Sequence, residues 1–469
     1  MSTPLVSEVP ASVDSTEELA DRFPASFVWG AATSSYQIEG SVDADGRGPS
    51  IWDTFCARQG AIDNGDTGAV AADHYRRHRT DVDLMARLNL GAYRFSIAWP
   101  RVQPTGKGPV NTKGLDFYER LVDDLLERGI TPWPTLYHWD LPQPLEDAGG
   151  WPRRDTAERF ADFAAAVHEV LGDRVPHWTT LNEPWCSAFL GYATGRHAPG
   201  RREPQAALRA AHHLLLAHGL ASRALPDDAS VGITLNLTDV RAASAAPADV
   251  DAARRIDGLQ NRLFLDPLLR GTYPADVVAD LADSFDLTHV HDTDPDVIGG
   301  RPPAFLGINY YSPLHVAHSA EPRASAYVGA PHTVAVDGGR ARTAMGWEID
   351  ASGLRALLRR LHTDHPGLAL YVTENGAAID EDVHDPTRLA YLRDHIGACA
   401  DAVADGVDLR GYFAWSLLDN FEWSFGYRHR FGLVHVDYAT QARTLKDSAR
   451  WYADLLHAAR ASALPAPAV

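Results

Sequence analysis

Residues 177–185 read HWTTLNEPW, and the way this stretch ends decides the fold. A strand-like run, His177–Glu183, stops on Asn182-Glu183-Pro184-Trp185. Four more candidate strands end on similar chemistry. Thr131–Trp139 runs into Tyr137-His138-Trp139-Asp140, and Phe305–Tyr311 runs into Asn309-Tyr310-Tyr311. Leu370–Glu374 runs into Thr373-Glu374-Asn375-Gly376, and Gly411–Leu417 carries Trp415 and precedes Glu422-Trp423. Phe27–Gln37, Gly91–Trp99 and Val231–Leu237 complete a set of eight strands. Helical stretches such as 81–90 and 114–130 lie between them. In the second, Leu115, Tyr118, Leu121, Val122, Leu125 and Leu126 keep the i, i+3, i+4 spacing of an amphipathic helix, and Gly129 stops it. Eight strand–helix alternations predict a parallel sheet of the α/β class. An open doubly wound sheet is one solution. Polar and aromatic residues at so many C-terminal strand ends favour the other, a single (β/α)8 TIM barrel with elaborated βα loops, whose active-site mouth requires them.

Composition excludes several classes of partner. The 469 residues carry 43 Lys and Arg against 62 Asp and Glu, a formal charge of −19. Such an acidic chain is a poor partner for nucleic acid or an anionic membrane, both of which need a basic face. Cys56, Cys186 and Cys399 are too few and too scattered for a disulfide framework and fit a reducing compartment. No signal-peptide pattern opens the chain and no apolar run of about 18 residues occurs, so the cytoplasm is expected. Residues 1–22 read as a flexible N-terminal segment, 23–456 as one barrel domain, and 457–469 as a C-terminal tail. The Ala-rich stretches near 203–228 and 242–256 read as helices or surface excursions, not domain boundaries.

A Trp-rich mouth with carboxylates between the rings suits sugars, whose C–H faces pack on aromatics while their hydroxyls need acceptors. Cleaving an acetal takes two carboxyl groups flanking the bond. Glu183 and Glu374 qualify because each ends a strand inside an Asn-containing motif; a solvated surface carboxylate is the alternative for each.

At these residues the chain resembles glycoside hydrolase family 1, the β-glucosidase type. The likeness runs through FPASFVWGAATSSYQIEG (23–40), YRFSIAWPR (93–101), TLYHWDLP (135–142), TLNEPW (180–185), GINYYSP (307–313), YVTENG (371–376) and FAWSLLDNFEWSFGYRHRFGLVHVDY (413–438). This resemblance implies that Glu183 is the acid/base and Glu374 the nucleophile of a retaining glycosidase, with carboxyls about 5–5.5 Å apart. The charge of Glu374 would then keep Glu183 protonated until the glycosyl ester forms. It further implies that Arg94 and Tyr311 hold the nucleophile, with Asn309 beside them. Gln37, His138, Asn182 and Glu422 would bind sugar hydroxyls, Trp415 would floor the sugar ring, and Trp423 would add a hydroxyl donor. Cys186 and Trp347 match positions at the aglycone entrance. The expected substrates are small β-glycosides, either aryl or alkyl glycosides or cello-oligosaccharides.

Substitutions narrow the branch. Family members acting on thioglucosides lack the acid/base glutamate, which is present here as Glu183. The 6-phospho-glycosidase branch carries Ser and Lys in the last loop, whereas 419–431 has no Lys and keeps Glu422. Arg428, His429 and Arg430 are the cations left nearby. A sugar-binding relative without activity is disfavoured by the presence of both glutamates, and a transglycosidase would share every catalytic residue. No cofactor or metal is expected. His74 and His78 have helical i, i+4 spacing without an evident third ligand. His168-Glu169 fails the zinc-protease pattern at Gly172. Gly46-x-Gly48 and Gly106-x-Gly108 lack the third glycine of a dinucleotide loop.

Overall fold

A computed structural model describes residues 14–463. Eight strands, β1 (Val28–Ala32), β2 (Ala92–Ser96), β3 (Thr131–Tyr137), β4 (His177–Asn182), β5 (Ser230–Leu235), β6 (Leu306–Asn309), β7 (Leu370–Asn375) and β8 (Leu409–Trp415), form one closed barrel. Neighbours in sequence pair in parallel, and β8 pairs back onto β1 through Val28–Ala32 against Gly411–Trp415. All eight candidate strands are therefore barrel strands, and the open sheet is excluded.

Their ends differ from the sequence reading for local reasons. The first strand stops at Ala32, because Ser35–Ile38 turns into a short helix. There the Ser35 N–H donates to Ser96 Oγ at 2.7 Å and Ser34 Oγ donates to Gln37 Oε1 at 2.7 Å. Gln37 thus sits on a helical turn above the barrel, not on a strand. The second strand ends at Ser96 and gives way to a helical turn at Trp99–Val102 with Pro100 in its first turn. The sixth is only Leu306–Asn309, and the eighth begins at Leu409.

The barrel interior is a plug of aromatic rings. Trp133 is fully buried and lies 5.0–5.3 Å, centroid to centroid, from Phe305, Tyr371 and Phe413. This plug is the floor of the mouth and places everything polar above it. β1 fits only as glycine at Gly30, where a Cβ would lie 2.5 Å from the Phe413 ring. Outside, the helix Thr112–Leu126 buries Leu115, Tyr118, Leu121, Val122 and Leu125, while Leu126 is 41% exposed. Gly129 ends that segment with φ +67°. The Ala-rich stretches are the helices Pro204–Ala224 and Pro247–Asp257. A small sheet of Val240–Ala242, Leu314–His318 and Thr333–Val336 stands beside the mouth.

Both chain ends need correction where they are described. Residues 1–13 and 464–469 lie outside the described residues. Residues 14–22 are not a loose segment: Ser15 and Glu18 form a capping box for the helix Thr16–Ala20, whose Leu19 and Ala20 are buried. The last helix, Asp447–Ala463, runs past the expected boundary at residue 456. His74 and His78 pair separately, His74 Nδ1 with Asp81 at 2.8 Å and His78 Nε2 with Asp124 at 3.2 Å.

The loop after β8 hangs on one buried carboxylate. Asp419 accepts from Lys446 Nζ at 2.8 Å, Arg430 at 2.7 Å and the Gly432 N–H at 3.0 Å. Asp419 and Lys446 are both fully buried. Removing one partner of such a pair strands the other charge in a medium that solvates it poorly. Lys446→Met should therefore cost about 3 kcal/mol of stability in urea unfolding. A loss under about 1 kcal/mol would show that Arg430 alone satisfies Asp419.

Candidate active site

The two strands that deliver the glutamates are irregular where they do so. The β4–β5 register shifts between Thr179 and Asn182, and the β6–β7 register shifts between Val372 and Glu374. Such bulges re-aim side chains at a strand end. Three non-glycine residues there hold left-handed backbones, Trp139 (φ +79°), Glu183 (φ +49°) and Trp423 (φ +49°). Strain of this kind persists only where the surroundings over-determine it.

The resulting cavity has a volume of about 540 Å³. Glu183, Glu374 and Glu422 line it together with His138, Trp415 and Trp423. Arg94, 1% exposed, lies behind this surface and connects three strands. One terminal nitrogen donates to Glu374 Oε1 at 2.7 Å and the other to Asn182 Oδ1 at 2.6 Å. Tyr311 OH donates to Glu374 Oε2 at 2.6 Å, so both carboxyl oxygens of Glu374 are engaged. Asn309, expected beside the nucleophile, serves the other glutamate. Its Nδ2 donates to Glu183 Oε1 at 2.7 Å and to Asn182 Oδ1 at 3.0 Å, with a smaller effect on Glu374.

These contacts fix the histidine as well. Asn182 Oδ1 receives both Arg94 and Asn309, so its Nδ2 is the group 3.0 Å from His138 Nε2. That nitrogen must accept, which leaves the proton on Nδ1. Burial, assisted by the Arg94 charge, keeps His138 well below the ordinary histidine range, hence neutral. Its ring lies 5.8 Å from Trp415 and 5.9 Å from Trp423, nearly parallel to both. Gln37 sits outside the cavity lining. Its Nε2 donates to Asn420 Oδ1 and the Phe421 carbonyl, each at 2.9 Å, and more loosely to Glu422 at 3.4 Å. Trp347, 5.4 Å from Tyr311, and Cys186 also line the cavity.

Several lining residues were not singled out from sequence. Trp139 donates from Nε1 to the Asn182 carbonyl at 3.0 Å and packs 4.5 Å from Trp423. It stood in the quoted YHWD cluster, and its positive φ is visible only in three dimensions. Arg196, Asn236, Gln260, Tyr327 and Glu348 come from segments without any motif. The two arginines of the last loop are occupied, Arg428 by Asp63 at 2.9 Å and Arg430 by Asp419.

The family model for glycosyl hydrolase family 1 matches residues 19–460. The chain belongs to glycosyl hydrolase family 1. It is 50% identical over 453 residues to the thermostable beta-glucosidase B of Thermobispora bispora, covering 95% of this chain and 92% of that one. It is 48% identical over 464 residues to the bifunctional beta-D-glucosidase/beta-D-fucosidase of Bifidobacterium breve, covering 93% and 99%. Among solved structures, the psychrophilic beta-glucosidase BglU from Micrococcus antarcticus superposes with a TM-score of 0.91 at 49% identity, over 94% of this chain and 98% of that one. The family 1 beta-glucosidase from Thermotoga maritima gives 0.89 at 45%, over 93% and 98%. Among the described residues, no helix is long and apolar enough to cross a membrane.

Within this family site the carboxyls differ electrostatically. Burial and then the charge of Glu374 push Glu183 up to about 8. Burial also raises Glu374, but the Arg94 charge and the Tyr311 hydrogen bond pull it back. Glu422 is pushed up to about 8, by burial first and by Glu374 and Glu183 after it. A carboxyl whose folded value lies above its ordinary 4.5 holds its proton longer when folded, so stability falls as pH rises from about 4.5 to about 8. Glu422→Gln abolishes that loss while keeping an acceptor for Gln37. The excess of its Tm over that of the unsubstituted protein should grow by roughly 2–5 °C between pH 5 and pH 8. A pH-independent difference would refute the reading of Glu422.

Proposed function

We propose that this protein hydrolyses terminal non-reducing β-D-glucosidic bonds with retention of configuration. Glu374 is the nucleophile and Glu183 the acid/base. The observation that carries the assignment is the unequal treatment of two glutamates in one cavity. Glu374 is gripped by a guanidinium and a phenol, which favour its ionised form. Glu183 is buried beside the Glu374 charge, which favours its acid form against the single amide donor of Asn309.

In the first step Glu374 attacks the anomeric carbon while Glu183 gives its proton to the departing glycosidic oxygen. Ester formation cancels the Glu374 charge, so Glu183 becomes more acidic. It then takes a proton from the incoming water, whose oxygen attacks the same carbon and releases Glu374. Neutral His138, Asn182, Gln37 and Glu422 receive the glycone hydroxyls, Trp415 packs on the ring, and Trp423 supplies a further donor. Gln37 and Asn182 also hold Glu422 and His138 in place. Tolerance of β-galactosides and β-fucosides is part of this reading, supported by the glucosidase/fucosidase relative. Aryl and alkyl glucosides and cello-oligosaccharides are the substrate class. Three buried free cysteines favour the cytoplasm as the compartment.

Two substitutions test the roles. Glu374→Gln should lower kcat by about 10³-fold or more while circular dichroism still shows a folded protein; near-normal turnover would sink the mechanism. Glu183→Gln should lower kcat/KM for alkyl glucosides by about 10²–10⁴-fold and for activated aryl glucosides far less, since those leaving groups need little protonation. Equal losses for both would remove Glu183 from the acid role.

A further inference from the structure

The wall beyond Glu183 contains a hydrogen-bonded chain that the reaction scheme leaves unused. Cys186 begins the π-helical turn Cys186–Ala193, and its N–H donates to the Glu183 carbonyl at 3.0 Å. This puts the thiol one turn from the acid/base, 8% exposed and in the same cavity. Asn236 Nδ2 donates to Cys186 Sγ at 3.5 Å. The Asn236 carbonyl accepts from Gln260 Nε2 at 2.7 Å, and Gln260 Oε1 accepts from Tyr327 OH at 3.1 Å. Gln260 itself lies in a second π-helical turn, Gly258–Arg262. Insertions of this kind are concentrated at functional sites.

A thiol has one weak donor and one weak acceptor side. The Asn236 amide occupies the acceptor side of Cys186, which leaves the S–H to turn into the cavity that Glu183 also lines. We propose that Cys186 is a positioning residue for the acid/base: its S–H donates to the Glu183 carboxylate, and the Tyr327–Gln260–Asn236 chain holds it there. This rests on the assignment of Glu183 given above.

The surroundings of Glu183 give the contact its weight. Glu374 from β7 and Glu422 from the loop after β8 oppose its ionisation. Asn309 from β6, Cys186 and Arg94 from β2 favour it, in that order. His138 is neutral, the phenol of Tyr311 is fully protonated, and the charge of Arg196 acts on Cys186 and Glu422. Arg94 and Asn309 also hold Asn182, so neither can be changed without moving other groups. Cys186 is the donor whose removal leaves the Glu374 clamp untouched. A group that must be an acid in one step and a base in the next is helped by a donor this weak. A stronger one would deprotonate it before the first step.

The test is a graded series. The alkaline limb of kcat/KM for an aryl β-glucoside should move up by about half a pH unit in Cys186→Ala, which lacks the donor. It should move down by about as much in Cys186→Ser, a stronger donor. A purely structural role would change the height of the profile without moving the limb; coincident limbs, or the reverse order, would overturn the proposal. A second readout needs no turnover. Alkylation of Cys186 by iodoacetamide between pH 7 and 10, located by peptide mapping, should be several-fold faster in Glu183→Gln, where no carboxylate opposes the thiolate. Equal rates would overturn the contact. Failure of the unsubstituted protein to hydrolyse any β-glucoside would instead refute the function, while the alkylation rates would still decide the contact.

Discussion

Everything at the mouth of this barrel depends on the buried guanidinium of Arg94. Its two nitrogens reach Glu374 on β7 and Asn182 on β4 from a position on β2, tying together strands that do not neighbour one another. Without a cation there, Glu374 would share a dry cavity with Glu183 and Glu422 and take up a proton. Asn182 would lose one of the two donors that orient its amide toward His138. The planar fork of arginine suits this position, since a lysine ammonium could not present two diverging donors to two strands.

Three carboxyls around one buried guanidinium are an unstable arrangement taken alone, and the fold supports it at two levels. Below, the Trp133, Phe305, Tyr371 and Phe413 plug removes water from beneath the site and gives the polar layer a rigid base. Above, the loop carrying Glu422 and Trp423 is anchored by Asp419 to Lys446 and Arg430. Glu183 and Glu422 stay raised all the same, by burial first and by the neighbouring carboxylates after it.

The eight strands were legible because each is an apolar run of the right length with a polar or aromatic end, a pattern set by the barrel itself. The paired glutamates were legible for the same reason. The short helix at Ser35–Ile38 was not, because the bonds that bend it come from Ser96, some sixty residues away. Asn309 was read as a partner of the nucleophile from the resemblance alone. Beside the bulge between Val372 and Glu374 its amide serves Glu183 first and Glu374 more weakly. The N-terminal helix was missed because polar residues hide a capping box whose use depends on packing against the body.

The two halves of the cavity are built on different principles. The half holding Glu374, Arg94, Asn182 and Trp415 comes from strand ends of a closed sheet, where each position is fixed by pairing on both sides. The other half, with Trp347, Tyr327, Gln260 and Asn236, comes from the excursions after β5 and β6 and from π-helical turns. Bond cleavage needs sub-ångström placement of charges, which strand ends supply. Selection among leaving groups needs surfaces that can change without disturbing that placement, which loops supply. Glu183 stands at the junction, following a strand end while its next turn already belongs to the other wall. A residue so placed is held by the sheet on one side and exposed to whatever the loops change on the other.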